Sequence, residues 1–443
     1  MLAIVRRVQR HLQNPDSPHR RIAVGFLWVS LFVFVGKLAG AAKEMTVAWR
    51  YGVSPTVDAY VFVFNLVSWP VAVWFGIISA VLVPLAARIR HDFPERMPRF
   101  RAELLGATLL LGGVLGLATW VGLPLLLRSG WLGLSAAALG PALSMAGGLS
   151  WLVPLGILVG LFSSWLLASG HHRNTLFEAI PALVLLGVLL LPSGWVGAPL
   201  LWGTVAGVTL HVLALALPLH RSGGLPAPAF TRQSPVWPLV WSGIGAMALG
   251  QTLKSLGGLL DQFFAAGLDA GALSSLGYAN RLLSLVLGLG ATAVGRAVLP
   301  VFSAGEAEGG SGMQALALRW AWWMFLLGVV VAAVGWAGSP LAVRLLFERG
   351  AFSAHDTATV AGVLRFALFQ VPFYFSGMVL SYVLVTRRQY GLVTLNALID
   401  ILVKLLAASL LVRWYKLDGL VLSSAVVGGL SLVCLYGFVK LKK

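Results

Sequence analysis

Residues 57–86 read VDAYVFVFNLVSWPVAVWFGIISAVLVPLA, and Asp58 is the only charged residue in this run. About 20 consecutive apolar residues are enough for an α-helix to cross the hydrocarbon core of a bilayer. The run therefore predicts a transmembrane helix. Comparable apolar runs recur along the whole chain of 443 residues, which predicts an all-α polytopic membrane protein.

The overall composition supports the same fold class. Hydrophobic residues make up 58% of the chain and charged residues 11%, and the mean hydropathy is +0.88. Soluble domains carry about 25% charged residues, so a soluble enzyme is excluded. The single cysteine, Cys434, lies in an apolar run, which excludes a disulfide framework and a cysteine metal cluster.

Apolar runs and loop signals together predict about twelve transmembrane helices. The run at 175–191 is short and contains Pro181, so the sequence leaves open whether this fifth helix is a full span. The predicted limits are 22–46, 57–86, 103–127, 139–168, 175–191, 196–219, 236–266, 272–303, 315–343, 357–385, 391–413 and 418–439.

Basic residues predict the orientation of these helices. The formal net charge is +17, which in a soluble protein would suggest nucleic acid. Here most lysines and arginines fall in the loops of one side, as the positive-inside rule requires, so no nucleic-acid partner is expected. Residues 1–21 form a basic segment that we interpret as a retained cytoplasmic N-terminus, and both termini are predicted to face the cytoplasm.

The two halves of the sequence resemble each other at a shift of about 216–220 residues. This repeat predicts two parallel, pseudo-symmetric six-helix lobes around a central cavity, at 22–219 and 236–439, with a linker at 220–235 and a basic tail at 440–443. Such repeats are typical of transporters that bind substrate near the bilayer midplane. The matching segments are 81–85 and 297–301, 126–130 and 346–350, and 164–167 and 381–384.

Several basic residues fall inside the predicted helices. Each would cost roughly 2.5–3.5 kcal/mol at the bilayer centre, and the acidic residues available as partners are fewer. Asp400 and Lys404 are four residues apart on one helix and are predicted to pair. The basic residues are Lys37, Lys43, Lys254, Arg281, Arg296, Arg365 and Lys404, and the acidic ones are Glu44, Asp58, Asp261 and Asp400.

A surplus of cations inside the helices predicts a wet cavity that binds an anion. Arginine suits bidentate contact with phosphate oxygens and lysine supplies a point charge, so a diphosphate group fits such a site. Lys43 and Arg281 are the leading candidates, followed by Lys37, Arg296 and Lys254. The alternative is that these side chains reach the membrane interface or pair with backbone carbonyls.

Six short motifs stand in order along the chain: GKLAGAAKE at 36–44, YG at 51–52, DAY at 58–60, YANRL at 278–282, VLP at 298–300 and LFERGAF at 346–352. They resemble motifs of the MurJ/MviN lipid flippases, members of the multidrug/oligosaccharidyl-lipid/polysaccharide (MOP) superfamily. The resemblance implies a transporter in the bacterial inner membrane that moves an undecaprenyl-diphosphate-linked saccharide to the outer leaflet. It also implies a substrate site that includes Glu44 and Asp58 besides the basic residues.

The chain departs from the family pattern at several positions. Lysine stands at 37 and 43 where the family usually has arginine, Glu44 and Asn280 stand where it usually has aspartate, and Val71 and Ala72 replace an arginine pair. The chain is also predicted to have twelve helices where lipid II flippases commonly have fourteen. Both lipid II and an exopolysaccharide repeat unit on the same carrier therefore remain possible substrates.

A small set of oxygen ligands is similar in kind to a sodium site of this family. It comprises Asp261, Asn396, Asp400 and Ser424, of which Asn396 and Asp400 share one helix face. The alternative is that Lys404 and Lys254 neutralise the two aspartates. Membrane potential is the other candidate driving force, and no further cofactor is expected.

Two other functions are alternatives to a lipid flippase. A multidrug or cation antiporter of the same superfamily would need acidic residues where Lys37 and Lys43 lie. A membrane-embedded polymer ligase would need a long outer loop, and no loop here exceeds roughly 20 residues. We therefore expect a transporter and not an enzyme, with membrane lipids as partners and acting as a monomer.

Overall fold

The computed structural model describes residues 18–92, 94–168, 177–192, 194–307, 313–387 and 389–441. Within these ranges the chain is helical apart from short turns, and no β-strand occurs. The described helices are α1 (Pro18–Tyr51), α2 (Pro55–Asp92), α3 (Met97–Arg128), α4 (Ala136–Leu149), α5 (Leu152–Ala168), α6 (Ile180–Leu190), α7 (Pro199–Arg221), α8 (Trp237–Ala266), α9 (Ala272–Ala307), α10 (Met313–Phe347), α11 (Ala354–Ala367), α12 (Val371–Thr386) and α13 (Tyr390–Leu441).

Each predicted transmembrane segment has a counterpart among these helices, and two of them are interrupted. The fourth is α4 followed by α5, with a bend of 47° between them. The bend precedes Pro154, which has no N–H to donate to the carbonyl of Ser150 one turn earlier. The tenth is α11 followed by α12, joined by a 3₁₀ turn at Leu368–Gln370, and Pro372 lies in the first turn of α12.

Helix α13 contains the last two predicted transmembrane segments. Its 52 residues would extend ~78 Å if straight, more than twice the hydrocarbon thickness of a bilayer. Lys416 interrupts the helix with non-helical backbone angles, φ 47° and ψ −125°. The predicted break between residues 413 and 418 is therefore confirmed.

Most of the described helices are suited to crossing a membrane. Seven spans are long and apolar enough to do so, one of them formed by α11 and α12 together, and the bent pair of α4 and α5 gives an eighth. Helix α6 is shorter, at 11 residues, and residues 169–176 before it lie outside the described ranges. The predicted all-α polytopic fold class is confirmed.

The chain forms two compact units. The first comprises Met1–Thr46, Pro70–Trp120 and Gly148–Met247, and its core is built around Trp165, Ile78 and Leu215. The second comprises Val47–Trp69, Val121–Gly147 and Ala248–Lys443, and its core includes Phe302, Val379 and Val383. The lobe boundaries drawn from the repeat remain a prediction.

One detail of the backbone agrees with the repeat. Gly130 and Gly350 occupy matching positions, and both adopt a left-handed conformation, with φ of 75° and 62°. Glycine adopts positive φ without steric cost. The same turn therefore precedes the fourth and the tenth transmembrane segments.

Candidate functional site

Two of the predicted substrate residues lie on α1 in different environments. The ammonium of Lys43 is 2.6 Å from a carboxylate oxygen of Glu44, and both side chains are mostly buried. Lys37 is exposed. With 3.6 residues per turn, positions 37 and 43 are about 120° apart around the helix, so the two lysines do not share a face.

The remaining cationic candidates lie on α8 and α9. Arg281 is exposed on α9, three residues after Tyr278. The side chains of Lys254 and Arg296 lie outside the described residues, so their roles remain predictions. Arg365, also predicted inside a transmembrane segment, places its guanidinium 4.6 Å from the centre of the Trp336 ring.

Asp58 has a structural role that its charge did not indicate. Its carboxylate accepts the backbone N–H of Gly271 at 2.5 Å and of Ser274 at 2.7 Å, and the side chain is buried. The first N–H groups of a helix have no partner within the helix. Asp58, at the start of α2, therefore caps the start of α9 and does not present its carboxylate to a substrate.

The motif residues around this cap come together in the second unit. The hydroxyl of Tyr278 donates to the carbonyl of Gly52 at 3.1 Å, and the N–H of Ala351 donates to the carbonyl of Trp49 at 2.8 Å. Gly52 has φ of +58°, and a Cβ there would lie 2.4 Å from the carbonyl oxygen of Ala351. Only glycine fits at this contact.

Lys404 forms the most buried ion pair among the described residues of the second unit. Its ammonium lies 2.6 Å from Asp261 on α8 and donates to the hydroxyl of Ser424 at 2.7 Å and to the carbonyl of Leu420 at 3.3 Å. The predicted pair with Asp400 is wrong. Lys404 instead joins α8 to the part of α13 that follows the break at Lys416.

Asn396 and Asp400 form a separate cluster with Ser431. The amide of Asn396 donates to Asp400 at 3.0 Å and to Ser431 at 2.7 Å. The amide oxygen Oδ1 of Asn396 and the second carboxylate oxygen of Asp400, also Oδ1, are buried and accept no hydrogen bond. These two atoms have the character of cation ligands.

The four residues predicted to bind sodium therefore do not fit one sodium site. The ammonium of Lys404 already lies against Asp261 and Ser424, where a metal ion would have to approach. A cation held by all four residues would meet that positive charge at contact distance. The neutralisation of Asp261 by Lys404 is the arrangement the structure contains.

Sequence reasoning did not assign a role to Glu103, near the start of α3. Its side chain is fully buried and accepts four hydrogen bonds from the segment that leads into α8, with Arg99 as an ion-pair partner at 3.4 Å. A lone carboxylate at the start of an apolar helix was the available signal. The donors are the hydroxyl of Thr231 at 2.9 Å, the N–H groups of Gln233 and Ser234 at 3.0 Å each, and the indole N–H of Trp237 at 2.8 Å.

Known proteins are similar to this chain in both sequence and fold. A probable lipid II flippase of Bdellovibrio bacteriovorus is 28% identical over 276 residues, which cover 59% of this chain and about half, 51%, of that protein. A probable lipid II flippase of Vibrio cholerae is 23% identical over 452 residues, covering 94% of this chain and 82% of that protein.

A solved structure of a lipid II flippase in an inward closed conformation superposes with a TM-score of 0.80, at 18% identity over 94% of this chain and 87% of that one. At this identity the superposition shows the fold. The model of the lipid II flippase MurJ family matches residues 47–443, nearly the whole chain. The chain is therefore a multi-pass membrane protein that belongs to the MurJ lipid II flippase family.

Proposed function

We propose that this protein moves an undecaprenyl-diphosphate-linked saccharide from the inner to the outer leaflet of the bacterial inner membrane, and that lipid II is its substrate. The observation that carries the proposal is the family match over residues 47–443. That match favours a lipid-linked saccharide over the organic cation of an antiporter. We propose alternating access as the mechanism, with both termini in the cytoplasm and the monomer as the working unit.

Two cationic side chains carry the chemistry that we propose for the substrate site. Lys43 is held beside Glu44 on α1, and Arg281 lies on α9 among the motif residues. In a site of low dielectric constant, a guanidinium and an ammonium bind phosphate oxygens strongly. We assign diphosphate binding to Arg281 and Lys43, and a positioning role for the Lys43 ammonium to Glu44.

Transport by reconstituted protein tests this assignment. In proteoliposomes that contain fluorescent lipid II, Lys43→Ala and Arg281→Ala should each slow leaflet exchange about tenfold or more. The reason is that a charge-assisted hydrogen bond contributes about 1.5–3 kcal/mol. Leaflet exchange is read from the fraction of label that an external quencher reaches.

Arg319→Ala is the matched control, because it removes an exposed arginine of α10. Equal protein insertion is checked by protease access. A parallel set of liposomes carries an exopolysaccharide repeat unit on the same lipid. Leaflet exchange of lipid II at the full rate by both Lys43→Ala and Arg281→Ala would contradict the assignment. Transport of the repeat unit and not of lipid II would identify the repeat unit as the substrate.

We propose that membrane potential, and not sodium, drives the cycle. The support is the ammonium of Lys404 beside Asp261, which supplies a fixed positive charge within the predicted ligand set. Moving one charge through 100 mV provides about 2.3 kcal/mol, enough to bias a conformational equilibrium about fiftyfold.

Ion replacement tests this coupling. Leaflet exchange should be unchanged when choline replaces sodium on both sides of the membrane, and it should respond to a potassium diffusion potential set with valinomycin. A requirement for sodium that disappears in Asp400→Asn would contradict the proposal and would identify Asp400 as a sodium ligand.

A further inference from the structure

A cavity of about 470 Å³ lies within the first unit, at the ends of α3 and α8 that flank residues 229–232. This volume is in the range of small-molecule sites. Its walls are apolar and include Trp74 and Ile78 of α2, Leu111 of α3 and Val240 of α8. The function proposed above does not use this cavity.

A single charge lies at the rim of the cavity. Among its lining residues only Arg232 is ionised, and its guanidinium lies 5.6 Å from the centre of the Trp241 ring. None of the carboxylates that the structure describes pairs with Arg232. The nearby carboxylate of Glu103 is buried and already accepts hydrogen bonds from neighbouring groups.

The cavity opens toward the surroundings of an apolar helix. Val114, which lines it, is 65% exposed on α3, and α3 is apolar enough to cross the membrane. Trp241 is also half exposed, and tryptophan is enriched where a membrane meets water. An apolar groove with a cation at its polar end therefore faces the region where lipid chains and headgroups lie.

We propose that this groove binds an anionic glycerophospholipid of the cytoplasmic leaflet. One acyl chain fills the apolar groove, and the phosphodiester contacts the guanidinium of Arg232. A phosphodiester carries one negative charge, which one arginine balances, whereas a lipid diphosphate carries more charge than this rim offers. A choline headgroup is disfavoured because Arg232 already occupies a face of Trp241 and would repel a second cation.

Binding is tested by native mass spectrometry of the purified protein titrated with phosphatidylglycerol or with phosphatidylcholine of the same acyl chains. We expect preferential binding of phosphatidylglycerol, with the apparent Kd about fivefold weaker in Arg232→Gln, the effect of about one basic residue near an anionic lipid. Ala107→Phe places a ring in the groove and should weaken both lipids. Thermal unfolding confirms that each variant is folded.

Arg221→Gln is the matched control, since Arg221 is exposed at the end of α7 and does not line the cavity. It should bind as the unchanged protein does. If Arg221→Gln weakened phosphatidylglycerol binding as much as Arg232→Gln, the lipid would bind a diffuse basic surface and not this site. Equal binding of phosphatidylglycerol and phosphatidylcholine would contradict the role of Arg232. Displacement of phosphatidylglycerol by a polyprenyl phosphate would assign the groove to the transported lipid instead. No substrate is present, so failure here leaves the proposed transport function intact.

Discussion

Lys404→Met should lower the free energy of unfolding by about 3–5 kcal/mol, the cost of removing one partner from a buried ion pair. The carboxylate of Asp261 would then be left buried without its counter-charge. The loss of the ammonium also removes its hydrogen bonds to Ser424 and Leu420, which join the two parts of α13. Thermal unfolding in detergent, followed by the loss of monodisperse protein on size exclusion, measures the effect.

Two further variants separate the ion pair from packing. Asp261→Asn combined with Lys404→Met removes both charges and should recover most of the stability, because a buried pair replaced as a whole costs little. Lys416→Met is the matched control. It breaks an ion pair of the same chemistry on the same helix, with Asp269 at 2.8 Å, but those side chains are 70% and 79% exposed.

An exposed pair contributes about 0–1 kcal/mol, so Lys416→Met should change the free energy of unfolding very little. Equal effects of Lys404→Met and Lys416→Met would show that the buried pair does not stabilise the second unit.

Glu103→Ala should destabilise the first unit by at least about 3 kcal/mol. The carboxylate accepts hydrogen bonds from two backbone N–H groups, a hydroxyl and an indole, and a buried donor left without a partner costs about 1–3 kcal/mol. Residues 231–237 would lose their hydrogen bonds to Glu103, and the backbone bond from Ala229 to the carbonyl of Ala102 and the bond from Arg99 to Gln233 would remain. Limited proteolysis should then cut the chain within 222–233, where the unchanged protein resists.

Glu103→Gln should destabilise the first unit less than Glu103→Ala does. The amide oxygen still accepts hydrogen bonds, but the NH2 group replaces the second carboxylate oxygen and faces N–H donors. Glu95→Ala is the control, since the Glu95 side chain is 66% exposed beside Arg96. Protease resistance retained in Glu103→Ala would mean that contacts other than those of Glu103 hold residues 229–234 against α3.

Hydropathy predicted the helices because burial in lipid leaves few alternatives for a long apolar segment. The break at Lys416 was predicted as well, as a gap between two apolar runs. The interruptions before Pro154 and before Pro372 were not predicted, because each falls inside one continuous apolar run. The fold class and most helix limits were therefore available before any coordinates.

Partners of buried charges were less predictable. The four-residue spacing favoured Asp400 for Lys404, but a pair within one helix contributes only about 0.2–0.5 kcal/mol. Lys404 is buried and pairs instead with Asp261 on α8. The sequence alone does not show which helices pack together. The family resemblance placed Asp58 in the substrate site. Its carboxylate instead accepts N–H groups 213 and 216 positions later in the chain, a contact that the sequence alone does not show.

That separation has a consequence for biosynthesis. At roughly 5–20 residues per second, translation needs roughly 10–40 s to reach Gly271 after Asp58 has been made. During this interval the carboxylate must stay hydrated or be shielded by the insertion machinery, because its native donors do not yet exist. A nascent chain stalled before residue 271 therefore carries the Asp58 carboxylate at the start of its second helix without its native hydrogen-bond donors.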